Sequence, residues 1–142
     1  MLFLLFALAS SCCDEYDPTL KNLRICSINR GDLEIFECPF DLESLSNDAP
    51  FITASVDVYQ SNPTDSIVFR LLDEVSGSVL LTSIVTAWEL NSETTFGECM
   101  IRAAVSFPRP SDILWSNLNY NVQVTLENGA SPLTIIKRFT IR

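Results

Sequence analysis

Histidine is absent from this 142-residue chain. Without imidazole there is no Ser-His-Asp or Cys-His nucleophile and no zinc site built on His nitrogens. No Cys-x-x-Cys pair occurs, which excludes a thioredoxin-like centre. Glycine is scarce: four residues, all in turn-like settings, and none in a phosphate-cradling loop. No Asp-x-Asp-x-Asp loop marks a calcium site, and no pattern calls for a cofactor or a metal. Positive charge is also short, with 9 Lys and Arg against 18 Asp and Glu, a net charge of -9. No charged residue precedes Asp14, so the rest of the chain carries all of it. Such a surface lacks the basic face that nucleic acid requires and that electrostatic docking on anionic lipid requires. The acidity serves solvation first, with a cationic partner or a calcium site as the alternatives.

What is present begins with Met1 to Ala9, "MLFLLFALA". This run is too short to span a bilayer, which takes about 20 residues, and it matches the apolar region of a secretion signal. Ala9, Ser10 and Ser11 follow, then Cys12. The stretch Leu8-Ala9-Ser10-Ser11-Cys12 resembles the signal of bacterial lipoproteins: an apolar residue, small residues and an obligatory cysteine. Leu8 stands one place earlier than the usual apolar position, which Ala9 fills. The resemblance implies that the Cys12 thiol takes a diacylglycerol before cleavage and that the new N-terminus is then acylated. Several acyl chains on one cysteine give stable anchoring where one does not. Cys13 is the other possible acceptor, but it would put Cys12 in a small-residue slot. A plain cleaved signal and a buried first strand are the alternatives, though the run lacks a strand's alternation. No Lys or Arg precedes the apolar region, which leaves a start upstream of Met1 open. The acidic cluster Asp14-Glu15-Tyr16-Asp17 resembles the export tag of Bacteroidota-type lipoproteins, which sends them to the outer face of the outer membrane. In other Gram-negative bacteria an aspartate beside the cysteine implies inner-membrane retention, and a solvated tether is the plain reading.

The body reads as strand after strand. "LRICSI" (Leu23–Ile28) and "LEIFEC" (Leu33–Cys38) flank "NRGD" (Asn29–Asp32), which predicts a hairpin. Arg30-Gly31-Asp32 is also the integrin-binding tripeptide, but Asn, Gly and Asp are what turns require. "FITASVDVY" (Phe51–Tyr59), "SIVFRLL" (Ser66–Leu72), "VLLTSIVTAW" (Val79–Trp88), "CMIRAAVSF" (Cys99–Phe107), "YNVQVTL" (Tyr120–Leu126) and "LTIIKRFTIR" (Leu133–Arg142) follow, separated by polar turns. The cleanest alternation sets Tyr120, Val122, Val124 and Leu126 against Asn121, Gln123 and Thr125. No segment sustains a helical period. The pattern predicts an all-β fold, an antiparallel immunoglobulin-like sandwich of about seven strands. The expected organisation is a lipoprotein signal over 1–11, an acidic tether over 12–21, an N-terminal hairpin segment over 22–47 and the sandwich over 48–142.

The final stretch, Arg109–Arg142, resembles the last hairpin of small immunoglobulin-like domains in bacterial surface proteins. Trp115, Tyr120, Val122, Val124, Phe139 and Ile141 carry the match, while Ser116 and Leu118 stand where that pattern has Pro and Gly. The likeness implies a fold and no chemistry.

Candidate site residues are few. Asp57, Asp73 and Glu74 lie near strands and read as exposed strand and loop residues, although two carboxylates suffice for a glycosidase. Trp88 and Trp115 are a possible ligand platform for sugar, with core packing the preferred reading. Beyond Cys12 and Cys13, an oxidising compartment lets Cys26, Cys38 and Cys99 form one bridge. Cys26–Cys38 is the first choice, Cys38–Cys99 the second, and three buried thiols the remaining option. Together these features predict a lipoprotein held to the outer membrane, on its periplasmic or cell-surface face. It displays a non-catalytic binding or scaffolding module there for a protein or glycan partner. A sugar-binding module and a subunit of an outer-membrane or surface assembly are the alternatives.

Overall fold

The computed structural model describes residues 17–62, 64–86, 99–127 and 132–142, and the backbone of Thr95 and Phe96. Cys12, Cys13 and Trp88 lie outside the described residues. Among those described, the strands are β1 (Thr19–Cys26), β2 (Ser44–Leu45), β3 (Phe51–Tyr59), β4 (Ser66–Asp73), β5 (Val79–Thr86), β6 (Thr95–Phe96), β7 (Met100–Pro108), β8 (Asn119–Glu127) and β9 (Leu133–Ile141). One sheet runs β1-β3-β7-β6 and the other β2-β9-β8-β4-β5. All pairings are antiparallel except β2 on β9, where Ser44 and Leu45 lie parallel to Thr140 and Ile141. This is the strand order of an immunoglobulin-like sandwich, with two additional edge strands, β2 and β5, in the second sheet. The chain crosses from the edge of the first sheet (β1) to the edge of the second (β2).

Period-2 alternation builds the core as the sequence predicts. Ile52, Ala54, Val56 and Val58 of β3 and Ile67, Phe69 and Leu71 of β4 point inward. So do Ile101, Ala103, Val105 and Phe107 of β7, and Tyr120, Val122, Val124 and Leu126 of β8. Phe139 and Ile141 of β9 complete the set, with the Phe139 ring stacked on Tyr120 at 5.5 Å between centroids. Each Val, Leu, Ile or Phe of this set contributes about 1.5–3 kcal/mol by leaving water, and the alanines less. Asn121 and Gln123, on the other face of β8, are half-buried. The Tyr120 hydroxyl donates to the Ser116 carbonyl at 2.8 Å. That bond back to the preceding loop, from the start of the strand before the last, is the tyrosine corner of immunoglobulin-like folds.

The N-terminal part differs from the expectation. There is no hairpin between Leu23–Ile28 and Leu33–Cys38. β1 pairs with β3 instead, from Thr19 opposite Tyr59 to Cys26 opposite Thr53. Asn29–Asp32 is no hairpin turn: Arg30–Asp32 forms a single 3-10 turn, capped by the Asn29 side chain, which accepts from the Gly31 N–H. Phe36 then takes a left-handed conformation (φ +57°), which ends any strand over Leu33–Cys38. A separate N-terminal segment over 22–47 is therefore not seen, because β1 and β2 each belong to a sheet of the sandwich. β1 begins at Thr19, so the last residues assigned to the tether are strand. Cys99 opens the run Cys99–Phe107 that the sequence predicts as a strand. It sits just before β7 with φ +55°, beside Gln60, whose N–H donates to its carbonyl at 2.8 Å.

Candidate functional site

Two surfaces of the sandwich depart from a plain solvated face. The first is the outer side of the β1-β3-β7 sheet. Alternation alone makes Thr53, Ser55 and Asp57 of β3 solvent-facing, yet all three are buried. The connection from β1 to β2, residues 27–43, folds over them. Cys26 and Cys38 are bridged, with Cα atoms 5.7 Å apart across 12 residues, and they pack with Leu33 and Ala104 as a small second core. The first-choice disulfide is thus present, closing a loop over the sheet and not a hairpin, and it rules out Cys38–Cys99. Cys99 is disulfide-bonded as well.

Polar bonds fasten this cover. The Cys38 N–H donates to Ser55 Oγ at 2.9 Å, and Thr53 Oγ1 donates to the Ile28 carbonyl at 2.6 Å. The Arg30 N–H donates to Ser106 Oγ at 2.7 Å. Asp57 accepts from Arg102 Nε and from Asn22 Nδ2, each at 2.8 Å. Asn22 reaches it because β1 is bulged between Lys21 and Arg24, with Asn22 at φ +56°. Glu37 of the cover lies 3.5 Å from both Arg24 and Arg102. The Arg30 guanidinium stacks over the Phe36 ring at 5.1 Å, so the arginine of the Arg-Gly-Asp triplet packs within the cover. The three carboxylates noted in the sequence are all engaged. Asp57 is held as above, Asp73 accepts from the Val75 and Ser76 N–H groups in the β4–β5 turn, and Glu74 pairs with Arg138 at 3.0 Å. Asp57 was read as exposed and is buried. Its burial depends on a cover that local alternation does not reveal.

The second surface is apolar. Strand β5 ends its sheet, and Val79, Leu80, Leu81 and Ile84 on it are exposed. Beside it a hollow of about 260 Å³ is lined by Leu71, Leu80, Leu81, Pro110, Ile113, Leu114, Trp115 and Tyr120, among others. Leu80 is the extra residue of a β-bulge: Leu71 lies opposite Leu81 and the adjacent Leu72 opposite Val79. That places Leu80 beside Leu81 at the hollow. Ile113 and Leu114 face it from the loop between β7 and β8, and both are exposed. The loop itself is tied down. The Arg109 N–H donates to the Pro50 carbonyl at 2.9 Å, and Arg109 Nη1 donates to the Ile113 carbonyl at 3.0 Å. The Trp115 N–H donates to the Asn47 carbonyl at 2.9 Å, and its indole Nε1 to the Ala49 carbonyl at 2.8 Å. These bonds hold the chain on both sides of Ile113 and Leu114, whose two large apolar side chains are exposed.

Trp115 is therefore half-buried, packed on the core with its N–H satisfied by backbone. It forms one wall of the hollow. Burial pushes the neighbouring Tyr120 hydroxyl above its ordinary pKa, with the Asp73 charge acting in the same direction. The sequence reading missed Ile113, Leu114 and the β5 edge. Their signal was available in part: an uncharged β-prone run at Val79–Thr86 and the apolar run Ile113-Leu114-Trp115 within the loop between β7 and β8. Which strand is an edge, however, follows only from the sheet order.

No family model and no curated protein matches the chain. Among solved structures it is similar to the β-glucuronidase of Parabacteroides merdae, at 12% identity and a TM-score of 0.46. The match covers 88% of this chain and 14% of that one, so the chain spans a small part of that protein's length.

Proposed function

We propose that this protein is an extracytoplasmic binding or scaffolding module, anchored to the outer membrane by lipid on Cys12, which docks a protein through the β5 edge and the hollow beside it. One observation carries the docking part: exposed Leu80, Leu81, Ile113 and Leu114 converge on one hollow at an open sheet edge. An apolar patch that is the largest on a soluble protein is often a functional surface, and an open strand edge is a template for another strand. The engagement of Asp57, Asp73 and Glu74 in structural bonds supports a non-catalytic reading. The same edge favours a subunit of an outer-membrane or surface assembly over a sugar-binding module. The anchor rests on the Leu8–Cys12 signal and on the acidic residues that follow it.

Two variants of the full chain test this reading. Cys12→Ala is expected to lose labelled palmitate and move from the membrane fraction to the soluble one, since the acyl chains supply the binding energy. Palmitate still entering that variant rejects Cys12 as the anchor. Ile113→Asp with Leu114→Asp is expected to leave the fold intact and to release the protein from any larger species on a native gel of gently solubilised membranes. Wild-type chain that runs alone, with the same mobility as the double variant, rejects docking through the hollow.

A further inference from the structure

We infer that the partner at the β5 edge is a second copy of this chain, with β5 pairing antiparallel to β5 of the other copy about a two-fold axis at Ser83. The inference rests on the docking reading above and names the occupant of that surface.

The edge is open in the physical sense. Among the described residues β5 pairs with β4 alone, and the ladder is regular from Leu81 opposite Leu71 to Thr86 opposite Ser66. In a regular edge strand, alternate N–H and C=O groups point away from the neighbouring strand and remain able to bond another. Natural edges are guarded by charged side chains or proline. Val79–Thr86, "VLLTSIVT", has neither, in a chain whose net charge is -9. The bulge at Leu80 guards one end only. The chain as a whole repels its own kind through its net charge of -9, whereas approach along β5 brings no charge of the strand against its own kind.

The strand also matches itself. Leu81, Ser83 and Val85 lie opposite Leu71, Phe69 and Ile67, which are core-facing, so they share the inner side. Thr82 and Ile84 lie opposite Arg70 and Val68, on the outer side. Side chains alternate with period 2, so a two-fold axis must pass through a residue, not between two, to keep each face with itself. An axis at Ser83 sets Leu81 opposite Val85 of the second copy, Val85 opposite Leu81, and Ser83 opposite Ser83. On the outer side it sets Thr82 opposite Ile84 and Ile84 opposite Thr82. An axis at Thr82 draws Leu80, the bulged residue, into the ladder. An axis at Ile84 pairs Val85 with Ser83 and leaves Leu81 facing a residue beyond the strand. Only the axis at Ser83 pairs Leu81 with Val85 at both ends of the inner side, with serine meeting serine at its centre.

The area is adequate. Val79, Leu80, Leu81, Ile84, Ile113 and Leu114 are between 38% and 61% exposed. Together they offer on the order of 500 Å² of apolar surface, against a range of about 300–600 Å² for the largest patch on a typical monomer. Backbone pairing along the edge moves this toward the roughly 800 Å² per partner of a standard interface.

The test uses the full chain in its own membranes. Facing residues across an antiparallel ladder stand about 4.5–5.5 Å apart at Cα, within the span of a disulfide. Ser83→Cys is therefore expected, under mild oxidation, to give a non-reducing band at twice the chain mass that wild type does not give and that reductant removes. Adding Thr82→Asp and Ile84→Asp places like charges opposite one another across the axis. Both positions are exposed, so the fold tolerates them. The band is expected to fall by roughly tenfold, the factor that a loss of ~1.4 kcal/mol gives, and to return when that chain is co-expressed with one carrying Ser83→Cys, Thr82→Lys and Ile84→Lys. A Ser83→Cys cross-link to a protein of another mass overturns the second copy while leaving docking at this edge in place. No cross-link of any mass, with Ile113→Asp and Leu114→Asp still dissociating a larger species, overturns the β5 pairing and keeps the hollow. A band untouched by the acidic pair also overturns the pairing.

Discussion

Asp57 of β3 and Arg102 of β7 face each other across the ladder, and Arg102 Nε donates to Asp57 Oδ1 at 2.8 Å with the aspartate only 3% exposed. The pair sits on what alternation makes the outer face of the sheet. It is buried because residues 27–43 cover it and because Glu37 and Asn22 complete its bonding. A buried charge costs several kcal/mol in desolvation unless it is paired and hydrogen-bonded. The cover and the pair thus depend on each other.

Asp57→Ala leaves Arg102 beneath the cover without the carboxylate that accepts from its Nε, while Glu37 stays 3.5 Å away. The expected loss is about 3 kcal/mol of unfolding free energy, read from the urea midpoint at unchanged slope. Asp57→Asn, which keeps one acceptor oxygen, is expected to lose less. A chain with alanine there and the midpoint of wild type contradicts a structural role for the pair.

Removing the bridge by Cys26→Ser with Cys38→Ser frees the cover from β1. Closing a loop of this length constrains the unfolded chain by about 3 kcal/mol, so a loss of that order is expected, with faster amide exchange at Ser55 and Thr53, whose side chains the cover engages. Non-reducing peptide mapping of wild type checks the pairing directly. Recovery of Cys38 joined to Cys99 contradicts it.

Tyr120 makes the sandwich sensitive to alkali. Its folded pKa is raised by burial, so the unfolded chain gives up the phenolic proton first. The stabilisation is complete below the ordinary tyrosine pKa of about 10 and is lost as pH climbs through the higher folded value. Tyr120→Phe is expected to cost about 1 kcal/mol near neutrality through the lost bond to Ser116 and to flatten the fall in stability above pH ~10. Identical pH profiles for the two chains between neutral and strongly alkaline solution refute this.

Val124→Ala removes two methyl groups from a fully buried position opposite Phe69 and Ile135. The transfer and cavity terms give an expected loss of about 1–3 kcal/mol, measured by denaturant unfolding. Gln123→Ala, one residue away on the other face, is expected to change stability by about 0.5 kcal/mol or less. Reversal of that order places β8 one residue out of register.

The sequence by itself determined the strands whose one face is apolar. In β8, Tyr120, Val122, Val124 and Leu126 can only point inward, because a slip of one residue would put all four in water. The same local rule marked the core faces of β3, β4 and β7, and with them an all-β sandwich. Tertiary structure alone decided what lies on the far side of a strand. Thr53, Ser55 and Asp57 read as solvent-facing, and they are buried because a segment some twenty residues earlier in the chain folds over them. The spacing of Cys26 and Cys38 suits two sides of a hairpin, but β3 offers β1 a long ladder with a single bulge, while the left-handed Phe36 breaks the competing one. The apolar edge was equally hidden. "VLLTSIVT" has the composition of a buried strand, and only the sheet order, which depends on pairings between distant segments, leaves it at the rim with Ile113 and Leu114 beside it. Side-chain direction is a property of neighbours in the chain and can be read from it, whereas burial and edge position are properties of neighbours in space.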